Sequence, residues 1–145
     1  MRFETDRSYQ LAVSPDAVWA ALARVEDYQQ WWPWLRGFDD AHLAEEAVWR
    51  CLVQPPLPYR VRFAIRLDEV RAPTTIRASL TGDVVGNARL EITETAHGCQ
   101  ARLVARLEPG NGLLKAVARV ATPVIRFGHD WVLDSGARQF LERAV

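Results

Sequence analysis

The chain has 145 residues, enough for a single domain spanning residues 1–145 that buries roughly two-thirds of its unfolded surface. Eighteen Lys and Arg balance eighteen Asp and Glu, and neither sign runs in blocks, which argues against nucleic acid or an anionic membrane recognised by charge. Cys51 and Cys99 lack Cys-x-x-Cys spacing and read as small packing residues of a reduced chain, not as a disulfide framework.

Met1 to Tyr9 is charged from its second residue and has no apolar core, so no signal peptide is expected. No run reaches the ~18 apolar residues of a membrane span, so the expectation is a soluble, cytoplasmic protein without stable membrane insertion. Phe3, Tyr9, Leu11 and Val13 alternate with Glu4, Ser8 and Gln10, a period of two that predicts a half-buried strand whose inward face also holds Thr5 and Arg7. Ser14 then suits an N-cap, Pro15 the first helical position, and Asp16 the positive end of the helix dipole. Val18, Trp19, Leu22 and Val25 follow at helical spacing. A second short helix is expected over Glu26 to Trp32, ended by Pro33.

Beyond Leu35 the pattern becomes a succession of strands. Ala47, Trp49, Cys51 and Val53 form one apolar face; after Pro55, Pro56 and Pro58, Tyr59, Val61, Phe63, Ile65 and Leu67 form another. Ala72 and Pro73 mark a turn before Ile76, Ala78 and Leu80. Gly86 and Asn87 read as the next turn, before Ala88, Leu90 and Ile92. His97 and Gly98 turn the chain into Cys99, Ala101, Leu103, Ala105 and Leu107. Short connections between sequential strands imply an antiparallel meander, apolar inside and wet outside.

Gly112 to Val145 is the dominant helical stretch. Leu113, Leu114, Val117, Val120, Ala121, Val124, Ile125, Gly128, Trp131 and Val132 fall on one face of a 3.6-residue wheel, with Lys115, Arg119, Arg126 and Asp130 opposite. Pro123 forbids an unbroken straight helix, so Thr122 and Pro123 mark a kink or the start of the main helix. That face requires a cover, which the curved sheet supplies.

This order of elements is that of the α+β helix-grip fold: a curved antiparallel sheet of about seven strands grips a long helix. The segment "SYQLAVSPDAVWAAL" from Ser8, with "YQQWWPWL" from Tyr28 to Leu35, resembles the opening of the START-like or Bet v 1-like (SRPBCC) superfamily. It is most similar to the bacterial polyketide cyclase/dehydrase and lipid-transport type. "GDVVGNARLEI" from Gly82 to Ile92 and "RFGHDWVLDSG" from Arg126 to Gly136 extend the resemblance over nearly the whole chain. It implies an internal cavity that receives a hydrophobic small molecule, a lipid, polyketide or aromatic compound. With the parities above, the expected wall is Arg7, Tyr9, Trp34, Trp49, Cys51, Tyr59, Phe63, Ile76, Leu80, Leu90, Leu103, Val124, Gly128, Trp131 and Val132. Leu90, Leu103 and Ala105 stand where relatives are expected to carry aromatics, which implies a wide cavity.

A few polar residues qualify for orienting a guest. Inward Arg7 must meet a ligand, a carboxylate such as Glu94, or solvent. Tyr59 offers a ring and a hydroxyl beside the proline-rich connection. Trp31, Trp32 and Trp34 surround one proline, so at least one of them is partly exposed or lines the entrance; the alternative is that Trp31 and Trp34 plug the gap between the short helices and the sheet. Inward Trp49 and Trp131 either stack a flat ligand or fill core. Gly128 is expected to be small because the helix faces the cavity there. Of the three histidines, His129 lies at the edge of the apolar helical face and, with Arg7 and Tyr59, is a weak catalytic candidate. The chain has no His-x-His, His-Glu-x-x-His, paired-cysteine or glycine-rich phosphate motif, so neither metal nor cofactor is expected. Three functions stay open: a carrier or sensor of a hydrophobic small molecule, an aromatase/cyclase or dehydrase acting in the same cavity, and a protein-interaction module presenting exposed tryptophans. Oligomeric state, monomer or homodimer, is not readable.

Overall fold

A computed structural model describes residues 2–39 and 42–145, without the side chains of Leu113, Val117, Ala118 and Val120. Strand β1 (Phe3–Leu11) is followed by helix α1 (Pro15–Leu22), a 3₁₀ turn (Val25–Asp27) and the one-turn helix α2 (Tyr28–Trp31). Strands β2 (Leu35–Phe38), β3 (Val48–Val53), β4 (Val61–Arg71), β5 (Thr75–Gly82), β6 (Val84–Thr95) and β7 (Gly98–Pro109) precede helices α3 (Gly112–Val120) and α4 (Thr122–Arg143). The seven strands form one antiparallel sheet in the order β1-β7-β6-β5-β4-β3-β2, a meander whose first strand returns to pair with the last. No helix of the described residues is long and apolar enough to cross a membrane.

Local chemistry places these elements. The Ser14 side chain caps α1 by accepting a hydrogen bond from the Ala17 amide, with Pro15 in the first turn. Burial in β1 alternates, with Phe3, Thr5 and Leu11 inside, and Trp49, Cys51 and Val53 are buried on β3. One turn differs from expectation. Gly86 and Asn87 lie inside β6, paired with Leu80 and Ser79 of β5, and the chain reverses instead at Gly82 and Asp83. Gly86 marks a close approach within the sheet: its φ is +148°, and a Cβ there would sit 1.9 Å from the Arg106 carbonyl oxygen.

The C-terminal stretch divides as Pro123 requires. Ala121 (φ −130°, ψ 47°) separates α3 from α4, with Pro123 in the first turn of the new helix. The single face drawn through both halves does not hold: Ile125 and Gly128 are buried, but Val124, about 100° round α4 from Ile125, is 39% exposed. Leu113, Val117 and Val120, expected on that face, have side chains outside the described residues.

Helix α4 lies across the sheet and is fastened at both ends. Toward its N-terminus, Asp130 and Asp134 meet Arg7 of β1. Farther along, Trp32 and Trp34 donate their indole N–H groups to the Gly136 carbonyl (3.0 Å) and to Gln139 Oε1 (2.8 Å), and Arg143 donates to the Trp31 carbonyl (2.7 Å). Three buried clusters support this frame: one around Tyr28, Trp31, Leu35, Trp49 and Leu67, a second around Leu11, Val18, Ile92 and Cys99, and a small one of Phe3 and Ile125. Phe140 packs against the first two.

Candidate functional site

The space left between sheet and α4 is a cavity of about 540 Å³, within the ~300–1,000 Å³ of small-molecule sites. Every strand but β2 contributes residues of its inward parity. Tyr9 comes from β1, Trp49 from β3, Phe63 from β4, Ile76 and Leu80 from β5, Leu90 from β6 and Leu103 from β7; α4 closes the cavity with Gly128, His129 and Val132, and Trp34 and Tyr59 reach in from connections. These expected wall residues are brought together because strand alternation fixes the side each one faces.

One end is aromatic. Tyr28 is 4% exposed, its ring lying 4.9 Å from Trp32, 5.4 Å from Trp31 and Phe38, and 5.6 Å from Trp49 between centroids. Such tilted and edge-on pairs each add about 0.5–1.5 kcal/mol beyond area burial. Polar atoms here are already bound: Tyr28 donates to the Leu22 carbonyl, and Trp49 to the His42 carbonyl at 3.1 Å. Burial pushes the Tyr28 phenol well above its usual range and the Cys51 thiol up to about 12, so neither ionises near neutral pH.

The opposite side carries a polar seam where β1 meets α4. His129 Nδ1 lies 3.2 Å from Asp130 Oδ1, and its Nε2 lies 3.4 Å from Thr5 Oγ1. A carboxylate only accepts, so Nδ1 carries the proton and Nε2 accepts from the Thr5 hydroxyl. Burial against apolar groups, including the Phe3 ring stacked at 5.5 Å, lowers the His129 pKa, and the Asp130 carboxylate opposes that shift only in part. The imidazole is therefore neutral at pH 7. Arg7 binds Asp134 and, at 3.4 Å, Asp130. Among the described residues no three His, Cys, Asp or Glu side chains gather as metal ligands.

Four expected wall residues lie elsewhere. Arg7 shares the inward parity but turns along the seam to the α4 carboxylates, not to Glu94, which is exposed. Cys51 is 6% exposed and packed within the aromatic cluster beneath the wall. Val124, about 100° round α4 from the buried Ile125, is turned outward. Trp131, one residue before the inward Val132, packs edge-on to Trp34 and lines a separate outer depression with Pro33, Pro55, Pro56, Leu57 and Pro58. Gly128 is on the wall, but a second contact fixes its size: a Cβ there would meet the Tyr59 hydroxyl at 2.0 Å.

The sequence reading missed Tyr28, Trp32, Leu133, Gly136 and Phe140, all on the wall. The last three continue the row from His129 and Val132 at spacings of three and four, a signal present in the sequence but interleaved with Asp134, Arg138 and Glu142. For Tyr28 and Trp32 the signal was the aromatic density of "YQQWWPWL", in which only Trp31 and Trp34 were read as a plug.

A model for the family described as polyketide cyclase / dehydrase and lipid transport matches residues 2–131. No curated protein matches the chain. Among solved structures, a START superfamily protein from Mycobacterium smegmatis superposes with TM-score 0.73 at 15% identity, covering 97% of this chain and 96% of that one. Norcoclaurine synthase from Thalictrum flavum, in complex with dopamine and hydroxybenzaldehyde, gives 0.63 at 10% identity over 100% and 90%. The di-domain ARO/CYC protein BexL of the BE-7585A biosynthetic pathway gives 0.72 at 11% identity, covering 99% of this chain and 50% of that one. At these identities the likeness is one of fold.

Proposed function

The chain belongs to the polyketide cyclase/dehydrase and lipid-transport family, and from that premise we propose that it binds a hydrophobic small molecule, a lipid, polyketide or aromatic compound, in the internal cavity. The observation that carries this reading is the cavity itself: about 540 Å³ enclosed almost wholly by aliphatic and aromatic side chains. A space of that size in a protein of 145 residues forfeits packing that a filled core would supply. An occupant restores it.

The energetics are sufficient without specific chemistry. An apolar guest that loses about 480 Å² of surface gains roughly 12 kcal/mol. Association costs of several kcal/mol leave roughly 6–8 kcal/mol, the micromolar range. Orientation then follows from the asymmetry of the wall, with the apolar body of the guest toward Tyr28 and Trp49 and a polar atom toward His129 and the Tyr9 and Tyr59 hydroxyls.

A second reading, catalysis on the same guest, is favoured by one observation. Asp130, His129 and Thr5 form a hydrogen-bonded line of which His129 reaches the cavity wall, with a neutral imidazole of the kind that accepts a proton from a bound carbonyl compound when Thr5 gives way. Native mass spectrometry of gently purified protein tests the first reading, and the mass of the occupant after prolonged incubation tests the second. A ligand recovered unchanged supports carriage or sensing; a dehydrated or cyclised product, formed by the wild type but not by His129→Gln, establishes catalysis.

A further inference from the structure

The balanced net charge conceals a local asymmetry. From Pro109 through His129 the chain carries Lys115, Arg119 and Arg126 and no Asp or Glu. All three cations are exposed, and none enters an ion pair among the described residues; the Arg126 guanidinium lies 5.7 Å from the Phe3 ring. Next to Arg126 on α4, Phe127 is 53% exposed, and Val124, one turn earlier, is 39% exposed. On the other side of that turn Ile125 and Gly128 form part of the cavity wall, with Leu114 of α3.

A single exposed apolar residue needs no explanation. Phe127 and Val124 stand instead among cations without a neutralising acid, on the outer surface of the helix turns that close the cavity. We propose that the α3–α4 junction docks peripherally on an anionic lipid bilayer. Lys115, Arg119 and Arg126 approach the headgroup phosphates, and Phe127 and Val124 enter the interfacial layer. A lipid surface fits better than a protein partner. Two apolar side chains on one turn fall far short of the roughly 800 Å² per partner that a stable protein interface buries, whereas peripheral membrane binding asks only for shallow apolar insertion and several cations. Docking is carried by surface residues alone. Its use, passage of the guest between bilayer and cavity without exposure to water, rests on the ligand-binding reading above.

The test is co-sedimentation of the full chain with vesicles of phosphatidylcholine alone and with about one-third phosphatidylglycerol. The expected result is binding only to the anionic vesicles, lost as salt rises from about 0.05 to about 0.5 M. Neutralising Lys115→Gln and Arg119→Gln together should lower partitioning about 25-fold, at about fivefold per cation, and Phe127→Ser about tenfold. Absence of binding to anionic vesicles, equal binding to both compositions, or binding unmoved by these substitutions overturns the proposal, as does preference for a soluble acidic protein over the vesicles. A neutral fluorescent probe titrated into the cavity of the same variants keeps the two readings apart: lost vesicle binding with intact probe binding concerns docking alone, and lost probe binding in the wild type concerns the cavity.

Discussion

The two sides of the cavity are built on opposite principles. Around Tyr28 the wall is a cluster of rings whose polar atoms are committed to backbone carbonyls and to Gln139, so it offers a guest shape and dispersion only. Along the β1–α4 seam lie the buried Thr5, the largely buried His129, and the more solvated Arg7, Asp130 and Asp134, held by charge and hydrogen bonds. The comparison teaches that stability and polarity are separated in this molecule. The aromatic end holds the helix to the sheet, and the seam brings one polar side chain, His129, to the cavity wall.

The largest expected effect is at the aromatic end. Trp31 is 5% exposed and packs against Tyr28, Trp32 and Phe140, so Trp31→Ala should cost about 3–5 kcal/mol in urea unfolding. Arg7→Gln at the seam should cost only about 0–1 kcal/mol, because its partners are largely solvated. Equal costs would erase the contrast.

Gly128 gives a middle-sized effect at the point where the wall narrows. Since a Cβ there collides with the Tyr59 hydroxyl at 2.0 Å, Gly128→Ala should destabilise by about 1–3 kcal/mol despite the usual helical advantage of alanine. Coupling is the diagnostic. In a Tyr59→Ala background the same substitution should cost close to nothing, and additive costs in the double-mutant cycle would place the strain elsewhere.

Smallest is the pH dependence of the seam. His129 has a pKa below its ordinary value of about 6.5 when folded, so the unfolded chain binds more protons as pH falls through that value. Stability should therefore be constant from this source above about pH 7 and decline as the solution is acidified below about 6.5. His129→Gln should remove part of the decline in a series of thermal melts at pH 7.5 to 5.5, roughly the window in which histidine titrates. Superimposable profiles would mean that the imidazole is not held neutral by burial.

How much of this was legible in the sequence depended on the physical rule involved. Strand faces were, because Tyr59 to Leu67 and Cys99 to Leu107 alternate with period two and only one parity can be buried. The helix break was also legible, since Pro123 cannot continue a helix from upstream. The centre of the inward face of α4 was not: Val124 and Ile125 are both apolar and only about 100° apart, and the packing of the helix on the sheet buries Ile125 and leaves Val124 exposed. Gly86 was misplaced for a related reason, because glycine marks both turns and close approaches, and only the pairing of β5, β6 and β7 distinguishes them. Trp131 faced a choice between cavity and outer depression that the strap of prolines at Pro55 to Pro58 decided in three dimensions. The cavity volume is a difference between an enclosed space and the side chains that fill it, and no local pattern encodes that difference.

The central claim is that the interior accepts one apolar guest, and saturable binding of a neutral fluorophore, N-phenyl-1-naphthylamine, tests it most directly. Wild-type protein should bind one probe per chain in the micromolar range, roughly 6–8 kcal/mol, with quenching of indole emission from Trp49 and Trp32, which line the cavity. Leu103→Trp, which fills the space from the β7 side of the wall, should weaken binding at least about tenfold while circular dichroism stays native. Non-saturable binding, or saturable binding that the filled cavity leaves unchanged, would contradict the account.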